Sequence, residues 1–176
     1  QALSDGDTYT VTADVSDADG NAATQVTSSS FSVDKSAPTI NAITTSAFSW
    51  GASLTATEDN SDGTVTVTTA NVEDGQNVTI TLNSATYTGA VSSNSASVTI
   101  SAAGLQALSD GETYTVTADV SDAAGNAAAQ VTSSSFTVDR PLINAIATSA
   151  FSWGASLNAT EDNSDGTVTV TTANVE

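Results

Sequence analysis

Apolar and polar residues alternate along most of the chain. The alternation is clearest in Thr64–Thr68, Val78–Leu82, Val98–Ile100 and Tyr114–Ala118, where every second residue is apolar or aromatic. This period of two is typical of strands with one buried and one wet face. No window has the i, i+3, i+4, i+7 pattern of a substantial helix, and no apolar run approaches transmembrane length. The pattern therefore predicts an all-β chain.

Turn residues divide the alternating stretches into seven short strands, which is typical of an antiparallel β-sandwich. The predicted strands are A, Ile40–Trp50 with a break; B, Thr64–Ala70; C, Asn77–Leu82; D, Ala85–Val91; E, Ala96–Ser101; F, Thr113–Val120; and G, Ala128–Val138. The E–F connection, Ala102–Leu108, is expected to contain a helical turn. Tyr114 follows an Asp-Gly turn at the start of strand F, so it resembles the tyrosine corner of immunoglobulin-like (Ig-like) sandwiches.

The predicted core consists of the inward apolar and aromatic positions of these strands and of the E–F connection. Its members are Ile40, Ile43, Phe48, Trp50, Leu54, Val65, Val67, Val78, Ile80, Leu82, Tyr87, Val98, Ile100, Leu105, Leu108, Tyr114, Val116, Val120, Phe136 and Val138. Trp50 and its copy Trp153 alternate with Phe48 and Phe151. This favours a buried position, although an exposed sugar-stacking platform is the alternative.

The chain repeats itself at domain scale. Gln1–Lys35 returns as Gln106–Arg140 with five differences, and Pro38–Glu73 returns as Pro141–Glu176 with three. The four residues from Lys35 to Pro38 correspond to the pair Arg140-Pro141. This two-residue deletion predicts a domain boundary, because linkers tolerate deletions.

The repeats predict tandem sandwich domains joined end to end. One complete unit spans residues 38–140. Residues 1–37 are the C-terminal part of a preceding unit, with strands F and G, and residues 141–176 are the N-terminal part of a following unit, with strands A and B. Neither part can bury a core alone, so each is expected to be poorly ordered, packed on a neighbour or completed by another chain. The first residues contain no signal peptide, which favours a chain cut from a longer protein.

Composition narrows the possible functions. The chain has 20 Asp and Glu residues, 2 Lys and Arg residues, no His and no Cys, and its formal net charge is -18. These numbers exclude Ser-His-Asp and Cys-His catalysis and thiolate zinc sites. They disfavour nucleic acids and anionic membranes, because two basic residues cannot neutralise a phosphate surface. What remains is an acidic, non-catalytic protein whose counter-ions are cations.

Several motifs resemble the bacterial Ig-like extender repeats of giant calcium-dependent, RTX-type surface adhesins. The matching stretches are Val72–Ile80, Leu108–Val116, Val120–Ala127, the joint Val33–Pro38 and Leu157–Glu161. Each motif alone is an ordinary turn, but their order and spacing are specific. The resemblance covers the whole chain. It implies an extracellular stalk on the bacterial surface, stiffened by Ca²⁺, whose partners are neighbouring repeats and whose glycan or cell-surface contacts are weak or made by other domains.

Strand polarity sorts the acidic loops of the unit into two ends. The B–C, D–E and F–G loops lie at the N-terminal end, and the A–B, C–D and E–F loops lie at the C-terminal end. The candidate ligands at the N-terminal end, including the residue that enters from the preceding unit, are Asp34, Glu73, Asp74, Asp119, Asp122 and Asn126. Those at the C-terminal end, including the residue that exits toward the next unit, are Glu58, Asp59, Asp62, Asp110 and Asp139. Equivalent positions in the flanking copies add Asp14, Asp17, Asp19, Glu161 and Asp165.

Clustered carboxylates need a counter-ion, since two of them roughly 4 Å apart repel by about 4 kcal/mol at an effective dielectric near 20. Ca²⁺ takes oxygen ligands in flexible geometry, so these residues are candidate calcium ligands. The alternative is a solvated acidic surface, and for the loop from Asp122 to Asn126 a simple turn. Asp19 is replaced by Ala124 in the second copy, so it is dispensable or specific to its copy.

Three functions are compared on this basis. The leading hypothesis is a structural stalk repeat. The second is a calcium-dependent carbohydrate- or cell-binding module, which requires an exposed aromatic or polar pocket. The third is a glycosidase-like enzyme with paired carboxylates. It is the weakest, because the acidic end loops are expected to have no Arg, His or Lys partner nearby.

Overall fold

The computed structural model describes residues 2–143, 146–163 and 165–173, and these are almost entirely β-structure. The predicted following unit, 141–176, therefore includes residues 144–145, 164 and 174–176, which lie outside the described residues. None of the helices in the described part is long and apolar enough to cross a membrane. The N-terminal segment, residues 2–37, contains β1 (Thr8–Tyr9), β2 (Thr12–Ala13), β3 (Val26–Thr27) and β4 (Phe31–Ser32).

Residues 39–139 form a complete β-sandwich, here called the central sandwich. Its strands are β5 (Thr39–Ile40), β6 (Ser53–Thr55), β7 (Gly63–Ala70), β8 (Asn77–Leu82), β9 (Ala85–Ala90), β10 (Ser95–Ile100), β11 (Thr113–Tyr114), β12 (Thr117–Asp119), β13 (Val131–Thr132) and β14 (Phe136–Asp139). The helix α1 (Ala102–Gln106) follows β10, and 3₁₀ turns occupy Thr45–Ala47 and Glu58–Asn60. After the central sandwich, the chain forms β15 (Leu142–Ile143), a 3₁₀ turn at Thr148–Ala150 and β16 (Thr172–Ala173).

Three sheets enclose the core. The first has the strand order β10-β7-β5 and the second has the order β13-β12-β8-β9, and all these pairs are antiparallel. The third has the order β11-β14-β6. Val65 pairs with Val98 in the first sheet and Ile80 pairs with Tyr87 in the second. The alternation of threonine with valine or isoleucine therefore points every second side chain into the core. The all-β Ig-like sandwich expected from the sequence is confirmed.

The predicted core is confirmed almost completely. Of its twenty members, all are buried except Tyr87 and Tyr114, which are partly buried and pack against the core. The structure adds Val72, Val91, Ala96 and Ala118, short side chains at strand ends or between larger residues. Trp50 is 5% exposed and stacks on Phe48 with ring centroids 5.1 Å apart. Trp50 is therefore a core residue, not a sugar-stacking platform.

Strand A is shorter and more divided than the sequence predicts. Only Thr39–Ile40 pairs with β7 as a strand, and Phe48 makes an isolated bridge to Val65. The chain then turns and forms β6, which pairs in parallel with β14. The sequence predicted one broken strand from Ile40 to Trp50 and no strand between Trp50 and strand B. That prediction was wrong, because β6 lies in this interval. Three residues carry too little alternation to reveal β6, which exists because β14 offers it a partner.

Strands F and G are also interrupted. Tyr114 pairs with Phe136, but Thr117 pairs with Thr132, so three residues of strand G face two of strand F. This is a β-bulge, which bends the strand and leaves one residue unpaired. Ser133 fills the break, because its hydroxyl accepts the Val116 N–H at 2.8 Å while its own N–H donates to Val116 O at 2.8 Å. The continuous strands predicted at F and G are corrected to β11–β12 and β13–β14.

The tyrosine corner predicted at Tyr114 is present. The Ser109 N–H donates to Tyr114 Oη at 2.9 Å, which ties the E–F connection to the start of strand F. The N-terminal segment repeats the arrangement, with the Ser4 N–H donating to Tyr9 Oη at 3.0 Å. The same local sequence therefore folds in the same way in both copies.

The N-terminal segment has the strands of F and G without the rest of a sandwich. Val11 is 60% exposed, whereas its counterpart Val116 in the central sandwich is fully buried. The other large apolar residues with substantial exposure in this segment are Leu3, Val15, Val26 and Phe31. The segment thus presents the side chains of a core face without the sheet that covers them in the central sandwich. The unit boundaries at 37/38 and 140/141 stay predictions.

Candidate functional site

Three loops meet at the N-terminal end of the central sandwich. The Ala123 N–H of the F–G loop donates to Glu73 Oε2 of the B–C loop at 2.9 Å. The Ser93 N–H of the D–E loop donates to Asp74 Oδ1, also of the B–C loop, at 2.7 Å. Strand polarity had predicted this convergence. Two of the candidate ligands therefore hold neighbouring loops through backbone amides.

The F–G loop is built around Asp122, which is buried. Its Oδ1 accepts the Asn126 N–H at 2.8 Å and its Oδ2 accepts the Asn126 side-chain amide at 2.8 Å. Asp17 and Asn21 make the same pair of contacts in the N-terminal segment. In both copies the turn is thus closed by hydrogen bonds between one aspartate and the asparagine four residues later. Asp19 lies at the exposed tip of the first copy, where its N–H donates to Asp17 Oδ1.

The N-terminal segment is tied directly to this end of the sandwich. The Asn126 side-chain amide donates to Asp34 O at 3.2 Å. The Asp34 carboxylate accepts the Ser36 N–H at 3.0 Å, and the Asp5 carboxylate accepts the Ser36 hydroxyl at 2.7 Å. We call this region the joint. It comprises residues 34–38 together with the B–C and F–G loops of the central sandwich that lie beside them. A backbone oxygen and two carboxylates therefore lie where the two parts of the chain meet.

A cavity of ≈ 720 Å³ opens at the joint. Both sides of the joint line it, the N-terminal segment through Asp5 and Asp34 and the central sandwich through Asn71, Glu73 and Asn94. All five side chains offer oxygen atoms, the donor type that Ca²⁺ prefers. The donor chemistry of this cavity therefore fits a calcium ion. Within the described part of the chain, however, no three acidic side chains converge closely enough to hold a metal ion as they stand.

Two further candidate ligands lie on strand F and its copy, away from the joint cavity. Asp119 accepts hydrogen bonds from Gln130 Nε2 on both carboxylate oxygens, at 3.0 and 2.9 Å. Asp14 accepts one from Gln25 Nε2 at 2.8 Å. A glutamine of strand G thus takes up each of these carboxylates, and the structure does not bring either into the joint cavity.

The C-terminal end holds a separate acidic group. Glu58 Oε2 accepts the Thr55 N–H at 2.9 Å and the Thr55 hydroxyl at 3.0 Å, and Asp62 Oδ1 accepts the Ala102 N–H at 2.9 Å. Asp110 Oδ1 accepts the Arg140 N–H at 2.8 Å. Asp139 is exposed at the end of β14.

Asp59 at this end has a cationic partner, contrary to the expectation that no basic residue lies near the acidic loops. Arg140 Nε lies 2.6 Å from Asp59 Oδ2, and both side chains are largely buried. Sequence reasoning missed Arg140 as a site residue, although it is one of only two basic residues and stands at a repeat joint. In the following segment, Glu161 Oε2 accepts the Asn158 N–H at 3.0 Å, and Asp165 is exposed.

Comparison with solved structures finds bacterial adhesin domains. One structure, from work on host cell surface retention of a 1.5-MDa bacterial ice-binding adhesin, is 30% identical over 76% of this chain, with a TM-score of 0.41. A bacterial immunoglobulin-like domain from the M. primoryensis ice-binding adhesin is 29% identical over 58% of this chain and 95% of its own length, with a TM-score of 0.40. The chain is similar to bacterial Ig-like adhesin domains. The predicted resemblance is confirmed.

A third structure is described as a Ca²⁺-stabilized adhesin that helps an Antarctic bacterium reach out and bind ice. It is 29% identical over 81% of this chain, with a TM-score of 0.42. This chain spans 42% and 35% of the lengths of the first and third of these structures. A comparison with protein families finds no match, and none of the curated proteins matches.

Acid should weaken the F–G turn of this Ig-like sandwich. The Asn126 side-chain amide, helped by the backbone N–H groups of the turn, holds the pKa of Asp122 below its usual value of 3.8. The turn's contribution to stability is therefore complete above that value and is lost as the pH falls through the lower folded pKa. The melting temperature of the natural chain should exceed that of Asp122→Asn at about pH 7, and the gap should shrink at about pH 3.

Asn126→Ala is the matched variant, because it removes the donor and leaves the carboxylate in place. Its gap to the natural chain should shrink over the same pH range. A gap that stays constant from neutral to acid pH for both variants would contradict this account of the turn.

Proposed function

We propose that this chain is part of the extracellular stalk of a bacterial adhesin, in which Ig-like units follow one another and Ca²⁺ stiffens the joint between them. The role is structural: the units hold distance and direction, and other domains make the adhesive contacts. Support comes from the near-identical copies along the chain and from the joint that links the N-terminal segment to the central sandwich.

The observation that carries the proposal is the composition of the joint cavity. Asp5 and Asp34 face it from one unit and Glu73 faces it from the next. Lys35 lies beside it, in an adjoining cavity that Asp34 and Glu73 also line, so a single lysine stands near these three carboxylates. If the carboxylates of the two units come closer across the joint they repel one another, and a cation between them would offset that repulsion. A cation held from both sides would connect the two units.

The residues that would hold Ca²⁺ are Asp34 and Glu73, with Asp5, Asn71 and Asn94 as further oxygen donors around the same cavity. When bound, the ion would supply positive charge between carboxylates of the two units. The turns at Asp17 and Asp122 are satisfied by their own asparagines, so the proposal places the ion at the joint. One similar adhesin is described as Ca²⁺-stabilized, and for this chain calcium remains part of the proposal.

Linkage to calcium would let such a stalk stiffen outside the cell. A site with a Kd of about 0.1 mM, in water with about 10 mM Ca²⁺, stabilises the bound state by about 2.7 kcal/mol. In a calcium-poor cytosol the site would be empty and the joint loose. The chain would then stiffen only after export.

Removal of calcium should widen the range of conformations that the chain adopts. It should also lower the melting temperature of the chain. Small-angle scattering in about 10 mM CaCl₂ should give one extended form, and excess chelator should broaden the distance distribution, because the like charges at the joint then repel. The melting temperature should fall by several degrees in the same exchange, as expected for a ligand worth a few kcal/mol.

Glu73→Gln is the test variant, since it removes one charge at the joint and keeps the shape of the side chain. It should weaken the calcium response, and Asp34→Asn should do the same. Asp14→Asn is the control, because Asp14 lies outside the joint cavity and its partner is Gln25. The proposal is wrong if calcium changes neither the scattering nor the melting temperature of the natural chain.

A further inference from the structure

The largely buried side chain of Arg140 binds several backbone and side-chain groups at the C-terminal end of the central sandwich. Its Nη1 donates to Leu108 O at 2.8 Å and its Nη2 donates to Leu105 O at 2.8 Å. These carbonyls belong to the end of α1 and to the second residue after it, where a helix leaves backbone acceptors short of internal partners. Leu105 O also accepts the Leu108 N–H at 3.1 Å. The guanidinium thus adds a donor to each of two backbone acceptors at the helix end.

The same guanidinium neutralises an acid from another loop. Arg140 Nε lies 2.6 Å from Asp59 Oδ2, and the two side chains are 17% and 8% exposed. Gln106 Nε2 of α1 donates to Asp59 O at 3.1 Å, and the Arg140 N–H donates to Asp110 Oδ1 at 2.8 Å. One residue therefore joins the A–B segment, α1 and the E–F loop, which are the parts that form this end.

The equivalent residue in the N-terminal segment is Lys35. Its ammonium reaches Leu3 O, the counterpart of Leu108 O, and its N–H donates to Asp5, the counterpart of Asp110. A lysine offers a single point of charge, whereas the guanidinium fork bonds two carbonyls and an acid together. Lysine therefore keeps the contact with the counterpart of Leu108 O, and it cannot reproduce the fork that Arg140 makes with a second carbonyl and an acid.

We infer that Arg140 is a built-in cation that fixes the C-terminal end of the central sandwich, so that this end keeps its structure without a metal ion. The two ends of one unit then differ: Arg140 serves the C-terminal end, and calcium serves the joint at the N-terminal end. Only the second half of this contrast depends on the proposed function. Removal of Arg140 would leave the largely buried Asp59 carboxylate without its counter-ion, and Leu105 O and Leu108 O would each lose one donor.

Hydrogen exchange, measured by mass spectrometry on the full chain in CaCl₂ and in chelator, tests the inference region by region. In the natural chain, chelator should change exchange in residues 71–76 of the joint and leave residues 102–108 unchanged. In Arg140→Gln, exchange in residues 102–108 should rise about tenfold or more, since opening of this end becomes easier. Added calcium should recover part of that protection, because the acid group then lacks its own cation.

Arg140→Lys keeps the charge and copies the residue of the preceding segment, so it should fold and give an intermediate rise. Lys35→Gln is the control, and it should leave residues 102–108 unchanged. The inference is overturned if Arg140→Gln and Arg140→Lys both exchange like the natural chain in residues 102–108. It is also overturned if chelator alone exposes this region in the natural chain. If residues 71–76 ignore calcium while Arg140→Gln opens the C-terminal end, the calcium proposal fails and the role of Arg140 stands.

Discussion

Phe136→Ala should destabilise the central sandwich by about 4 kcal/mol, as removal of a fully buried phenylalanine does in well-packed cores. Phe136 is 1% exposed, and its ring lies 5.3 Å from those of Phe48 and Trp50 and 6.2 Å from that of Tyr114. The ring is therefore the centre of the aromatic cluster, and its loss leaves a cavity that three large neighbours cannot fill. Urea denaturation followed by circular dichroism measures the change in the free energy of unfolding.

The chain supplies its own control. Phe31 occupies the same place in the N-terminal copy, within nearly the same sequence, but it is 43% exposed and has Tyr9 as its aromatic neighbour at 6.1 Å. Phe31→Ala should therefore cost less than about 1 kcal/mol. Equal losses at the two positions would mean that the N-terminal segment is covered in solution as completely as the central sandwich.

Gly63→Val should cost about 3 kcal/mol through overpacking. A Cβ at Gly63 would lie 2.7 Å from Trp50 Cζ3 and 3.0 Å from Leu105 Cδ1. The indole cannot move aside, because Phe48 stacks on one of its faces and Phe136 packs edge-on against it. The same denaturation experiment should show a loss for Gly63→Ala as well, smaller than that for Gly63→Val.

A double-mutant cycle tests whether the indole is the cause. Trp50→Leu removes the six-membered ring that the new side chain would meet, so Gly63→Val should cost less in that background, with a coupling of about 1 kcal/mol or more. Thr64→Val, the neighbouring outward position on β7, is the control and should be nearly neutral. Strict additivity of Gly63→Val and Trp50→Leu would show that the crowding arises elsewhere.

Local alternation predicted the regular part of the fold. Strand β8 begins and ends at the residues expected, Asn77 and Leu82, because its threonines and apolar residues alternate without a break. Strand β6 and the bulge at Ser133 were not predicted. Both depend on pairing partners far along the chain, β14 for the first and strand F for the second. A single sequence carries little trace of such partners.

The sequence predicted which acidic loops meet at each end of the unit. It did not predict which side chains pair there. Strand polarity placed Glu73 and Asp122 in adjoining loops, and the structure joins those loops through the Ala123 N–H. The ion pair of Asp59 and Arg140 was missed, because the two residues lie far apart in sequence and in different loops. Because the sequence has only two basic residues, we expected no cation within the fold. One of the two, Arg140, is nevertheless largely buried there.

The parallel pairing of β6 with β14 determines how a unit carries tension. β6 lies near the entry of the chain into the unit and β14 lies at its exit, with Val138 beside Leu54 and the Thr137 N–H bonded to Ala52 O at 3.0 Å. A pull on the two ends of the unit first reaches β5, which pairs antiparallel with β7. It then slides β6 along β14 and loads their hydrogen bonds together. An antiparallel pair at the same place would be peeled apart, so that its backbone hydrogen bonds would break one after another. A unit built in this way would resist stretching until several of these hydrogen bonds break together.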